Sequence, residues 1–273
     1  MPPMRVLIMS DMEGVSGIVV WDQVNGGAPQ YEEGRRLYTE EINAAVRGAK
    51  AAGATEIVVI DCHGAGKDWN FNSLIPDKLD PACEWVSHHA WSRYTEMFET
   101  GCDVALMIAM HAMAGTPDGV LCHTISTTTW RNLYFNDTVV GEFGINCALC
   151  GHWGVPVALI TGDDATCREG RDLLGEKLHA VAVKRGLTRY SARNIPPVRA
   201  RQMIEDGVRQ ALQKRDWPAP YVPAKPTTIT VDLSTADSAQ QFRGRHGVEL
   251  VEPLKAVSRG RDWMQAWDQV WHY

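Results

Sequence analysis

Four short apolar runs of this sequence end in residues that bind metals or move protons. "RVLIMSDMEG" leads into Asp11 and Glu13, "EIVVIDCHG" into Asp61 and His63, "VALMIAMHA" into His111, and "VALITGDD" into Asp163 and Asp164. Each residue alone has an ordinary use. A histidine after a strand commonly bonds to backbone, and paired aspartates can cap a following helix. Together they suggest chemistry, because imidazole and carboxylate are the ligand set of Zn²⁺ and, less strongly, of Mn²⁺ or Fe²⁺. Asp11 and Glu13 are two apart, so in an extended segment both point the same way, with Met12 turned to the opposite face. No dense local signature such as HExxH occurs. A dinucleotide site would need GxGxxG after the first strand. "GVSG" does not supply it, and acids at that turn would repel a pyrophosphate.

Two further residues stand outside this pattern. His123 lies in "GVLCHTIS", where bare sequence reads it as a strand residue facing solvent. Glu142 lies in "NDTVVGEFG", at the expected start of a helix, where its charge suits the helix dipole.

The elements that must position these residues alternate. The runs ending at Ser10, Asp61, Met110 and Asp163 are apolar and largely β-branched, the pattern of strands buried on both faces. Helices are expected over 32–53, 141–151 and 165–185. In the first, Leu37, Ile42, Ala45, Val46 and Ala49 share one face and Gly53 stops it. A short antiparallel insert is expected between the third and fourth runs. The fold class is therefore α/β, a mostly parallel sheet flanked by helices, with a smaller C-terminal α+β unit. In such sheets ligands bind beyond the carboxyl ends of the strands, where the acids and histidines collect. The texture changes near residue 190. That gives an α/β metal-binding catalytic domain over 1–190 and a smaller α+β domain over 191–273. Trp263, Trp267 and Trp271 stand four apart on one face of a last helix, suited to core packing or to a subunit contact.

Composition removes several function classes. With 273 residues, 45% apolar, the chain can bury a sizeable core. A net charge of -6 without a Lys/Arg cluster argues against nucleic-acid binding. No apolar run approaches a membrane span, and the first residues lack a signal-peptide core. A cytoplasmic location is expected. The 7 cysteines are an odd number and read as reduced thiols. Cys147 and Cys150 form one CxxC without the second pair that a structural zinc site wants.

Taken in order, "SDMEGVSG", "DCHG", "MHAMAGTPDGVLCHT", "NDTVVGEFG" and "TGDD" resemble the zinc D-aminopeptidase family associated with dipeptide-transport operons. The resemblance covers residues 7–164 closely and continues more loosely through "LTRYSARNI". It implies an aminopeptidase with two zinc ions per subunit. By motif, the ligands would be Asp11, Glu13, His63, His111 and Glu142, and the catalytic histidine His123. It also implies a ring-shaped homo-oligomer, commonly a decamer, and short peptide substrates, plausibly with an N-terminal D-residue such as D-Ala-D-Ala. Five groups give each of two metals three ligands only if one is shared. Asp11 is the natural bridge, because a carboxylate has two oxygens. A metal-bound hydroxide would attack the scissile carbonyl, leaving His123 as general acid or base or as oxyanion stabiliser. An acidic pocket suits the substrate ammonium, and Asp61, Asp163 and Asp164 are candidates to hold it. The alternatives are another metal-dependent amidohydrolase, a phosphoesterase, or a non-catalytic peptide-binding metal protein.

Overall fold

The apolar runs become the centre of a parallel sheet in the computed structural model, which describes residues 3–89 and 95–271. In chain order the strands are β1 (Arg5–Ser10), β2 (Glu56–Asp61), β3 (Glu84–Val86), β4 (Val104–Met110), β5 (Trp130–Phe135) and β6 (Thr138–Val140). They continue as β7 (Val157–Asp163), β8 (His179–Thr188), β9 (Ser191–Asn194), β10 (Thr227–Leu233), β11 (Val248–Glu252) and β12 (Lys255–Gly260). The helices are α1 (Tyr31–Ala51), α2 (Glu96–Thr100), α3 (Glu142–His152), α4 (Asp164–Leu174), α5 (Pro197–Lys214), α6 (Ala236–Gln240) and α7 (Trp263–Val270).

The first sheet runs β3-β2-β1-β4-β7-β8-β9, parallel throughout except for β9. Successive side chains of β1 go to opposite faces, as strand geometry requires. Val6 and Ile8 join the core under α1 and α5, while Leu7 and Met9 join the core that includes α3 and α7. Both faces are apolar because both are covered, which is why these strands read as continuous apolar runs. The second sheet is antiparallel, in the order β11-β12-β10-β5-β6. Its inner face and α7 pack into the same core as α3.

Sheet membership crosses residue 190 in both directions. β5 and β6 come from the insert and pair with the C-terminal strands through β10, whereas β9 pairs with β8 and α5 packs on α1. One expected helix is corrected. The helix over 165–185 ends at Leu174, where Gly175 takes a φ of 82° and its N–H bonds back to Arg171. Residues 179–188 are instead β8, parallel to β7, with Val181 and Val183 buried two apart. That alternation is a strand period which the adjoining helical run masked. Among the described residues no helix is long and apolar enough to cross a membrane.

Candidate metal centre

β1 lies between β2 and β4, so the carboxyl ends of these three strands are adjacent. Asp11 follows β1, His63 follows β2 and His111 follows β4. The turn after β1 is stitched onto β4: Asp11 N donates to Ile108 O at 3.0 Å and Gly14 N to Ala109 O at 2.9 Å. Only glycine fits at 14, since a Cβ there would stand 2.1 Å from Met110 O. Glu142 enters from the insert as the first residue of α3, and its Oε1 accepts from Ile125 N at 2.8 Å.

Asp11 divides its two oxygens between two histidines. Its Oδ1 is 3.2 Å from His63 Nδ1 and its Oδ2 is 3.3 Å from His111 Nε2. Glu13 Oε2 stands 3.1 Å from His63 Nδ1, and Glu142 Oε1 stands 3.3 Å from His111 Nε2. His123 completes the group: its Nε2 is 3.6 Å from Glu142 Oε1 and its ring stacks on His111 at 4.0 Å.

Each imidazole gives its other nitrogen to a backbone carbonyl. His63 Nε2 donates to Val24 O at 2.9 Å, His111 Nδ1 to Ala112 O at 3.0 Å, and His123 Nδ1 to Leu121 O at 2.9 Å. Metal-binding histidines are oriented in this way. In the neutral rings, bare nitrogens then face carboxylate oxygens, an arrangement that calls for a cation between them. Glu13 Oε2 and His111 Nε2 are buried without a hydrogen-bond partner among the described residues. Ligand atoms of Asp11, Glu13 and His111 lie within 4.8 Å of one another, as do those of His111, His123 and Glu142. The donor set is nitrogen and oxygen only, which suits zinc.

The electrostatics separate His123 from the rest. Burial would lower His63 and His111, but Glu13 beside the former, Glu142 beside the latter and Asp11 beside both outweigh it and hold them well above the ordinary value. Burial would raise Asp11, yet His111 and His63 hold it well below the usual carboxylate range. Glu142 is likewise lowered, because His111 overcomes its burial. For His123 burial and the neighbouring His111 both act downward, which favours the neutral ring.

The D-aminopeptidase family profile matches residues 4–271. This chain belongs to that family. It is thereby an aminopeptidase-family hydrolase. A D-aminopeptidase of Bacillus subtilis (strain 168) is 30% identical over 271 residues, 98% of this chain and 95% of that protein. The solved structure of the Zn-dependent D-aminopeptidase DppA from Bacillus subtilis, described as a self-compartmentalizing protease, superimposes with a TM-score of 0.89. That pair is 27% identical, and the match covers 98% of this chain and 95% of DppA.

Within this D-aminopeptidase-family fold, the remaining strand-end acids are structural. Asp61 Oδ1 accepts from Tyr38 Oη and from His63 N, both at 3.0 Å, and its Oδ2 accepts from Ser73 N at 2.6 Å. It holds the loop that carries His63. Asp163 caps α4 through Thr166 N and takes Val120 N at 2.7 Å, three residues before His123. Asp164 pairs with Arg168 and accepts from Gly186 N. None of the three lines the cavity over the metal centre.

Beneath the turn after Glu13 lies a lysine that strand-end reasoning did not find. Lys184 of β8 is 2% exposed and donates to the carbonyls of Glu13, Val15 and Ile18 at 2.5, 2.9 and 2.7 Å. Burial pulls it down to about 8, against the pull of Asp163, Glu41 and Glu13. A cavity of about 800 Å³ opens over the centre, reaching Asp11, Glu13, His63, His123 and Glu142. Trp21, Asn146, Trp267 and Trp271 also line it. The spacing of Asn146, one turn after Glu142 on α3, was the available signal for that residue.

Proposed function

We propose that this chain is a zinc-dependent aminopeptidase that removes the N-terminal residue from short peptides, those beginning with a D-residue included, at a two-zinc centre. The observation that carries the reading is Asp11, whose two oxygens each face a different histidine at hydrogen-bond range. Asp11, Glu13 and His63 would hold one ion, and Asp11, His111 and Glu142 the other. Three carboxylates leave the pair with a residual positive charge. Zinc bound there supplies Lewis acidity, lowering the pKa of water to roughly 7 and polarising a scissile carbonyl.

The chain's own residues supply the rest. His63, His111 and Asp11 are fixed by backbone partners, so the donors are aligned before substrate arrives. His123 is not needed as a ligand. Its Nδ1–H is held by Leu121, leaving Nε2 free to take or return a proton beside Glu142. Trp21 stands edge-on to His123 at 5.5 Å, which limits its rotation and narrows the access of water. The description of DppA as self-compartmentalizing supports a homo-oligomer here, and a decameric ring is the proposed form. Scattered free thiols support a cytoplasmic location.

Metal analysis together with a peptide panel tests the reading. The purified chain is expected to carry two zinc ions, to lose turnover on exhaustive chelation, and to cleave D-dipeptides in preference to simple amides or phosphate esters. Asp11→Ala is expected to lose both ions. Full activity after chelation, or both ions retained in the variant, would refute it.

A further inference from the structure

The cavity has a second face, running from Glu142 to where α3 meets α7. Glu142 and Asn146 are one turn apart on α3, so their side chains emerge side by side. Asn146 is 5% exposed and lines the cavity, yet no described residue hydrogen-bonds its carboxamide. A carboxamide that opens onto the cavity offers both a donor and an acceptor to whatever binds there.

Beyond Glu142 the face turns apolar. Ile145, Trp267 and Trp271 line the same cavity. Trp263, Trp267 and Trp271 form a continuous parallel stack, with ring centroids 5.6 and 5.8 Å apart and planes tilted by only 10° and 7°. The inner part of the stack is anchored edge-on against Phe135, 5.8 Å from Trp263 and 6.4 Å from Trp267. Trp271 forms its outer end and has a buried indole N–H without a partner among the described residues. The wall is therefore rigid and aromatic, with amide and indole hydrogen-bonding groups set into it.

Such a surface complements a large apolar side chain attached to a polar backbone. An alanyl side chain would leave most of it uncovered. We propose that the α3–α7 face is a subsite for an aromatic or branched apolar side chain on a residue flanking the scissile bond, and that Asn146 hydrogen-bonds the backbone amide of that residue. The proposal rests on the aminopeptidase reading above and names its substrate class. Asn146 is a binding residue in this scheme, and Trp271 sets the selectivity.

The test uses the zinc-loaded full chain and two peptide series, X-Gly-Gly and D-Ala-X-Gly, with X alanine, leucine or phenylalanine in either hand. The expected result is a kcat/KM about 10-fold or more higher for phenylalanine or leucine than for alanine at one of the two positions, the scale of burying several methylene-sized groups. Trp271→Ala should bring that ratio towards one, and Trp271→Leu serves if the alanine variant does not fold. Asn146→Ala should raise KM about 10-fold, as expected for one lost hydrogen bond, with zinc content unchanged and partial rescue by Asn146→Ser. No cleavage of any peptide by the zinc-loaded chain would sink the aminopeptidase reading and this subsite with it. Cleavage without a size preference, an unchanged ratio in the Trp271 variants, or zinc loss in Asn146→Ala would sink the subsite alone.

Discussion

Glu41 offers a test of how the turn that carries Asp11 and Glu13 is supported. It projects from α1, is 1% exposed, and accepts from Ser16 N at 2.9 Å through Oε1, while Oε2 is buried without a partner among the described residues. Burial pushes its carboxyl up from 4.5 to about 7, against the opposing pull of Ser16, Lys184 and Arg201. The folded value lies above the unfolded one, so between these limits the folded state binds the extra proton and stability falls as pH rises. Each pKa unit is worth about 1.4 kcal/mol, so ionising Glu41 costs the folded state on the order of 3 kcal/mol. Glu41→Gln mimics the protonated form and keeps an acceptor for Ser16. The difference in unfolding free energy between variant and wild type should be near its minimum below about pH 4.5. It should grow by about 2–3 kcal/mol in favour of the variant by about pH 8. Denaturant titrations of both proteins, metal-free, over that range measure it, and protonation of the metal ligands cancels in the difference. Parallel profiles for the two proteins would refute the reasoning.

Two other substitutions probe the site. His123→Ala should keep its zinc and lose about 10²- to 10⁴-fold in kcat, the range for a proton-transfer group; wild-type kcat would exclude His123 from catalysis. Lys184→Met leaves three carbonyls without their ammonium and should cost about 1–3 kcal/mol, read as a lower melting temperature together with weaker zinc uptake. An unchanged melting temperature would show that the lysine is dispensable.

The parallel core of the fold was legible because its strands are buried on both faces. That burial turns β1, β2, β4 and β7 into uninterrupted apolar runs with polar ends. β8 was not legible: its two buried valines come soon after a helix, and only the short turn opened by Gly175 separates the two periods. Among the site residues, Asp11, Glu13, His63 and His111 stand out because strand ends have a known use in this fold class. Bare sequence gave Glu142 and His123 ordinary readings, and only the motif resemblance marked them. The structure brings both to the others through an insert whose path depends on long-range pairing. The orientation of the histidines could not be read at all, because the carbonyls of Val24, Ala112 and Leu121 that set it belong to loops. The tryptophans were placed on one face correctly, but spacing alone did not say that this face borders the cavity.

The way the two sheets share the chain also governs when the site comes into being. Asp11 precedes Trp267 and Trp271, which wall the same cavity, by some 250 residues along the chain. β5 and β6 must likewise wait for β10 before they have a sheet to join. The segment that carries Asp11 can therefore be made well before the cavity around it is closed. The wall that faces those residues is complete only once α7 has packed against α3.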